Sequence, residues 1–240
     1  MDRTAKPSPR PGRKRVLLIL VAAFVALGIA IVGMSTREPS QEYEQVVGAG
    51  DSQRIFGGER QLDDRLGQES APVQMQLFLD AQSETYRDQF LETVPPLVTG
   101  RVRSGDLKLL YRNRSLTRNA TELSFFAIEA AQKQGYGWQY AYLMFRNQEK
   151  AKAEGLGEEF LETLAGGIPN LEAPEWKEDF EAGLGPGSAV EESLIAQDKL
   201  AIDLEIRDQP AAVVSGPNGT EIVQDAPDLN RLLQAIDSVR

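Results

Sequence analysis

The stretch that decides the fold is residues 78–97, FLDAQSETYRDQFLETVPPL. It continues residues 73–78, in which apolar and polar residues alternate with the period of two that is typical of a β-strand. Ser83 is a favoured N-cap residue, because its hydroxyl can accept a hydrogen bond from an unpaired N–H of a first helical turn. Apolar residues then recur at helical spacing up to Pro95 and Pro96, which we expect to kink or end the helix. The stretch therefore predicts a strand that runs into a helix at Ser83.

Segments beyond this stretch alternate between strand and helix patterns. Residues 107–111 predict a second strand, and residues 211–214 and 221–223 predict two short strands around a turn at 216–219. Asp228 is placed to cap a final helix. Amphipathic helical patterns cover residues 123–130, 138–148, 158–164, 189–204 and 229–239. This order predicts an α/β domain in which a helical region separates the second strand from the third.

Several motifs resemble those of DsbA-like thioredoxin-fold proteins. Residues 78–97 resemble the family's active-site segment, in which a strand runs into a CxxC motif and then into a helix. Pro210 lies where the family has its cis-proline loop. Further matches are residues 70–73 (SAPV), 130–135 (AAQKQG), 138–140 (WQY) and 143–148 (LMFRNQ). The resemblance covers residues 55–239 and implies a thioredoxin-like fold with an inserted helical subdomain at about residues 115–200.

The same resemblance implies a site from which the reactive groups are missing. Ser83, Glu84, Thr85 and Tyr86 occupy the four CxxC positions, and the chain contains no cysteine. A serine hydroxyl stays protonated near neutral pH and cannot exchange with a disulfide, so thiol–disulfide chemistry is excluded. In the family, the backbone beside the cis-proline can pair with an extended peptide, and such pairing needs no cysteine.

Other catalytic chemistry has little support in the composition. The chain contains no histidine, which removes the usual general base near neutral pH and the commonest transition-metal ligand. No Walker sequence, EF-hand loop or glycine-rich dinucleotide turn occurs. We interpret three pairs of adjacent carboxylates as solvated surface: Asp63-Asp64, Glu158-Glu159 and Glu191-Glu192. We therefore predict no catalytic residue, no metal site and no cofactor.

Residues 16–34, VLLILVAAFVALGIAIVGM, predict a single transmembrane helix. These 19 residues carry no charge, and as a helix they would cover about 28 Å, close to the hydrocarbon thickness of a bilayer. Six of the 26 basic residues of the chain precede Val16, but only one of its 36 acidic residues does. The positive-inside rule then predicts a cytoplasmic N-terminus and a folded domain on the other side of the cell membrane. The alternative is a cleaved signal peptide, although the run is long for one and ends in a poor cleavage site.

The sequence thus divides into four segments. Residues 1–15 form a basic cytoplasmic tail, residues 16–34 an anchor, residues 35–54 a flexible polar linker and residues 55–240 the folded domain. The chain has a net charge of −10, although the tail carries six basic residues and only one acidic residue. The domain is therefore strongly acidic, and we expect no binding to nucleic acid.

Our leading hypothesis is a redox-inactive, membrane-anchored thioredoxin-like domain that binds a peptide or a partner protein outside the cytoplasm. The expected binding residues are Ser83, Glu84, Thr85, Tyr86, Gln209 and Pro210. One alternative is a structural subunit of an envelope complex that uses an outer face of the helical subdomain at residues 158–164. The other is an enzyme with non-thiol chemistry.

Overall fold

The computed structural model describes residues 46–114, 122–206 and 210–240. The predicted tail, the predicted anchor and most of the predicted linker lie outside these ranges, as does Gln209. Within the described ranges, no helix is long and apolar enough to cross a bilayer. The transmembrane helix at residues 16–34 stays a prediction.

The described residues form a mixed sheet surrounded by helices. The strands are β1 (Gln61–Leu62), β2 (Arg65–Leu66), β3 (Val73–Leu79), β4 (Leu107–Asn113), β5 (Ala211–Gly216) and β6 (Gly219–Val223). The helices are α1 (Ala49–Phe56), α2 (Glu84–Leu97), α3 (Glu122–Lys133), α4 (Gly137–Arg146), α5 (Gln148–Glu154), α6 (Glu158–Gly166), α7 (Ala173–Gly183), α8 (Ala189–Asp203) and α9 (Leu229–Val239). Helices α3 to α8 lie between β4 and β5 in the chain, which confirms the predicted helical insertion.

The sheet has the order β1-β2-β4-β3-β5-β6. Strands β3 and β4 are parallel neighbours at its centre, and α2 connects them. Strand β5 runs antiparallel to β3, with Phe78 opposite Ala211, and β6 pairs with β5 through the predicted hairpin. Asp228 caps α9 as predicted, because its Oδ1 accepts a hydrogen bond from the backbone N–H of Arg231 at 2.8 Å. The register of β3 and β5 places the start of β5 beside the end of β3.

An aromatic cluster joins the sheet, α2 and the helical insertion. Phe90 of α2 stacks on Phe145 and Trp138 of α4, with ring centroids 4.5 Å and 6.3 Å away. Trp138 makes an edge-on contact with Tyr111 of β4 at 5.8 Å. All four side chains are almost completely buried. Aromatic pairs of this kind add about 0.5–1.5 kcal/mol beyond their burial, so the cluster ties the insertion firmly to the sheet.

The folded domain begins earlier than predicted. Val46, Ala49 and Phe56 are at most 4% exposed and belong to the hydrophobic core, so residues 46–54 are not a flexible linker. Asn147 holds this segment through two hydrogen bonds with Val47: the Val47 N–H donates to Oδ1 at 3.2 Å, and Nδ2 donates to the Val47 carbonyl at 3.0 Å. The prediction was wrong here because polar residues and glycines dominate the segment, although its apolar residues have helical spacing.

The two prolines of α2 do not end the helix. Pro95 and Pro96 lie inside α2, which continues to Leu97. A proline cannot donate to the carbonyl four residues earlier, and beyond Leu97 the helix widens into a π-helical turn, Val98–Val102. In this turn the N–H of Arg103 donates to the carbonyl of Val98 at 3.0 Å. The helix therefore does not end at the prolines, and a wider helical turn follows them.

Candidate functional site

The four residues at the CxxC positions lie at the N-terminus of α2. Glu84 and Thr85 are exposed and Ser83 is partly buried. Tyr86 is only 2% exposed and belongs to the hydrophobic core. Tyr86 therefore lies beneath this surface and supports it, whereas we predicted it among the residues that contact a partner. The exposed part of the surface consists of Ser83, Glu84 and Thr85.

Ser83 occupies the N-cap position of α2 as predicted, but not for the expected reason. Within the described part of the chain, its hydroxyl makes no capping hydrogen bond with the first turn. Its carbonyl instead accepts hydrogen bonds from the Arg87 N–H at 3.0 Å and from Gln148 Nε2 at 3.1 Å. Gln148 Nε2 also donates to the carbonyl of Ala81 at 2.7 Å. The amide of one insertion residue thus fixes the loop that leads into α2.

The loop rests on two buried polar side chains. Asp80 is 6% exposed, and burial raises the pKa of its carboxyl although the Gln82 N–H donates to Oδ1 at 2.9 Å and acts in the opposite direction. Burial and the nearby Asp80 raise the pKa of the Tyr86 hydroxyl. Tyr86 therefore stays neutral at any physiological pH. It supplies neither a nucleophile nor a base at this position.

Above the loop, an exposed network of ion pairs connects α2 with α5. Lys152 pairs with Glu84 and Glu149, and Arg87 pairs with Glu149 at 2.7 Å. The hydrogen bond from Lys152 lowers the pKa of the Glu84 carboxyl. Exposed ion pairs contribute little to stability. Because each of these charges already has a partner of opposite sign, the network presents a charged but largely compensated surface rather than a site for a free ion.

A small cavity of about 150 Å³ adjoins this loop. Its lining is mixed: Ala81, Gln82, Met144, Gln148, Ala151, Lys152 and Leu156. Gln148 is 3% exposed, and its Oε1 has no hydrogen-bond partner among the described residues. Because Nε2 faces two carbonyls, the orientation of this amide is fixed and the unpaired atom is an acceptor. The cavity can hold one side chain of moderate size.

The other half of the expected surface begins at Pro210, which is buried. Its carbonyl accepts a hydrogen bond from the N–H of Ala226 at 3.0 Å. Because Pro210 directly precedes β5, it lies beside the end of β3, from which the chain continues to Ser83. Glu205 has a φ of 52°, in the left-handed region that glycine adopts most easily. Gln209 lies outside the described residues, so its place in this surface stays a prediction.

The residue that sequence reasoning missed is Gln148. It belongs to the motif at residues 143–148, but the motif alone gives it no role. Its partners, Ala81 and Ser83, lie more than 60 positions away in the chain.

Metal binding has no support in the described ranges, because they contain no group of three histidine, cysteine, aspartate or glutamate residues that could hold an ion.

Comparison with known proteins supports the architecture. No family model and no curated relative matches the chain. Among solved structures, BdbD from Bacillus subtilis is similar with a TM-score of 0.62 and 17% identity, over 75% of this chain and 95% of BdbD. DsbA from Chlamydia trachomatis matches with a TM-score of 0.62 and 15% identity, over 74% of this chain and 91% of that one.

A third similar structure is α-DsbA1 from Wolbachia pipientis, with a TM-score of 0.60 and 13% identity over 78% of this chain and 94% of that protein. Identities this low bear on the fold alone. The strand order, the helical insertion and these three likenesses agree with the resemblance found in the sequence. The protein therefore has the thioredoxin fold of DsbA-like proteins, in a chain without cysteine.

Proposed function

We propose that this protein is a redox-inactive, membrane-anchored member of the DsbA-like group that binds an extended peptide or a partner protein outside the cytoplasm. The observation that carries the proposal is the register of β3 and β5. Because Phe78 lies opposite Ala211, the N-terminus of α2 and Pro210 lie at the same end of the central sheet. The surface between them can form a groove, and peptide pairing there needs no thiol.

Rigidity of the loop before α2 supports this proposal. Gln148 holds the carbonyls of Ala81 and Ser83, and the aromatic cluster fixes α2 from below through Phe90. A surface that is already ordered loses little conformational entropy when a partner binds. The neighbouring cavity of about 150 Å³ offers a pocket for one side chain of an extended peptide. In this arrangement Glu84 and Thr85 contact the partner and Tyr86 supports them.

The composition supports the predicted location. The charge-free run at residues 16–34 and the basic residues before it favour an anchor with the domain on the non-cytoplasmic side. The excess of acidic residues in the domain keeps it from binding anionic lipid headgroups. We expect the anchor to hold the domain close to the membrane. Because the acidic domain does not bind the lipid headgroups, its surface stays accessible to partner proteins.

Site-specific photo-crosslinking in the native membrane tests the proposal. The photoreactive residue is placed at Thr85 and, in a second variant, at Gln209. A matched control carries it at Glu178, an exposed position on α7. We expect a discrete adduct of the same mass from both groove positions and none from Glu178. Adducts from neither position, in a chain shown to be folded and anchored, would contradict the groove and favour the alternative of a structural subunit.

A further inference from the structure

A second and larger cleft lies away from the N-terminus of α2. Its volume is about 450 Å³, within the range of small-molecule sites. The turn between β1 and β2, strand β4, and helices α3 and α8 form its walls. Its polar lining includes Asp63, Asp64, Arg112, Glu129, Gln132 and Gln197. Sequence reasoning interpreted Asp63-Asp64 as solvated surface, whereas both residues line this cleft.

The turn that carries the two aspartates is fixed from below. The carbonyl of Asp64 accepts hydrogen bonds from Trp138 Nε1 and from the backbone N–H of Tyr111, both at 3.0 Å. The side chain of Asp64 pairs with Arg112, whose Nε also donates to Gln76 Oε1 at 2.9 Å. Arg112 is thus committed to one carboxylate. Asp63 and Glu129 remain as acidic groups that Arg112 compensates only in part.

Glu129 is the most perturbed acid of the cleft. Burial, opposed by a hydrogen bond from Gln197, raises its pKa from 4.5 to about 7. The charged and titratable groups that face it are Asp63 and Asp64 on the turn and Arg112 and Tyr111 on β4. From α8 it faces the uncharged Gln197, whose Nε2 lies 3.4 Å from Glu129 Oε1. Proton uptake at Glu129 therefore relieves a local excess of negative charge.

Gln132 supplies an independent sign that the cleft takes a ligand. It is 5% exposed and lines the cleft, yet its Nε2 has no hydrogen-bond partner among the described residues. A buried donor without a partner costs about 1–3 kcal/mol. Gly137 makes room for this side chain, because a Cβ at that position would lie 2.2 Å from Gln132 Cγ. The fold thus keeps a buried, unpaired Nε2 on a side chain that lines an acidic cleft.

We propose that this cleft binds a small organic cation in which an ammonium group lies beside a hydrogen-bond acceptor, as in an amino acid amide or an amino alcohol. The ammonium group lies between Asp63 and Glu129, and the acceptor lies beside Gln132, which turns its unpaired Nε2 towards the ligand. The cation replaces the proton that Glu129 would otherwise hold, so binding and proton release are coupled. This proposal is independent of the groove at Ser83, and either can fail without the other.

Isothermal titration calorimetry of the full chain with glycinamide tests this site, with acetamide as the neutral control. Glycinamide carries the ammonium and the acceptor, whereas acetamide carries the acceptor alone. At pH 7 a pKa of about 7 leaves Glu129 half protonated. Binding should therefore release roughly half a proton, which two buffers of different ionisation enthalpy can measure. Saturable heat from glycinamide but not from acetamide is the expected result.

Three variants complete the test. Glu129→Gln should weaken glycinamide binding at least tenfold and abolish proton release, whereas Glu178→Gln removes an exposed charge on α7 and should change neither. Asp63→Asn is a second cleft variant, because asparagine tolerates the φ of 52° found at Asp63. We expect Asp63→Asn to weaken glycinamide binding roughly threefold. It keeps the site testable if Glu129→Gln does not fold. No saturable heat from glycinamide, equal binding of acetamide, or full affinity in a folded Glu129→Gln or Asp63→Asn variant would overturn the proposal.

Discussion

Two glutamates show how differently the protein treats a negative charge in its two candidate sites. Glu84, at the N-terminus of α2, is exposed and pairs with Lys152, which lowers the pKa of its carboxyl. Glu129, in the cleft, is largely buried, and its pKa is raised to about 7. In the first site the Glu84 carboxylate is solvated and forms an ion pair with Lys152. In the second site the Glu129 carboxyl is buried, and the nearby Arg112 forms its ion pair with Asp64 instead. A solvated and compensated surface suits contact with a protein, and an uncompensated cleft suits a small cation.

The two sites share one foundation, and removing it should have the largest effect. Phe90 packs against Phe145 and Trp138, and Trp138 in turn holds the carbonyl of Asp64 in the cleft. We expect Phe90→Ala to lower the free energy of unfolding by about 3–5 kcal/mol. Urea denaturation of the full chain, followed by tryptophan fluorescence, measures the change. A decrease of less than 1 kcal/mol in the free energy of unfolding would show that the aromatic cluster is not the structural support of both sites.

Glu129→Gln should change how stability depends on pH. Because the folded state raises this pKa from 4.5 to about 7, the folded chain retains a proton that the unfolded chain releases between these values. Stability therefore falls as pH rises through that window, by about 3 kcal/mol at most. The variant stays neutral and should lose this decline. Urea denaturation at pH 5 and pH 8 measures it, with Glu178→Gln as the control that keeps the decline. An equal decline in both variants would exclude Glu129 as its source.

Gln148→Ala should destabilise the loop before α2. The substitution leaves the carbonyls of Ala81 and Ser83 without their side-chain donor. We expect a loss of about 2 kcal/mol, because a buried carbonyl without a partner is costly. Lys150→Ala, a substitution at a surface position of the same helix, is the matched control and should cost less than 0.5 kcal/mol. Faster amide exchange confined to residues 80–86 would locate the effect, and unchanged exchange there would contradict the role of Gln148.

The smallest effect is expected at the other glutamate. The lowered pKa of Glu84 implies stability that is present above its unfolded pKa and lost as pH falls through the folded value. This dependence has the opposite sign to that of Glu129. Because Glu84 is fully exposed, we expect Glu84→Gln to be indistinguishable from wild type at physiological salt. Urea denaturation at pH 3 and pH 7 checks this, and a clear loss at pH 7 would mean that the ion-pair network is structural.

The central fold was predictable because its signals are local. The alternating pattern before Asp80 and the helical spacing after Ser83 correctly predicted β3 and α2, and Asp228 correctly predicted the cap of α9. The cleft was not predictable, because its walls come from segments far apart in the chain. The two strands that flank its aspartates have two residues each, too few to show a period.

The errors have a physical reason as well. Residues 46–54 have a polar composition, and only the spacing of Ala49, Ser52 and Phe56 indicated that one face is buried. A pair of prolines normally argues against a helix, but wider turns can follow them where the neighbouring packing is strong. The role of Gln148 depends on hydrogen bonds to two main-chain carbonyls. Every residue has such a carbonyl, so the sequence does not show which ones a side chain contacts.

The hydrogen bonds between Asn147 and Val47 have a mechanical consequence. They hold the chain at the point where it enters the domain, and the next residue, Gln148, holds the loop that leads into α2. A pull on the chain ahead of Val46 is therefore borne one residue away from the contacts that shape the proposed groove. Two consecutive side chains thus link the start of the described domain to the loop before α2.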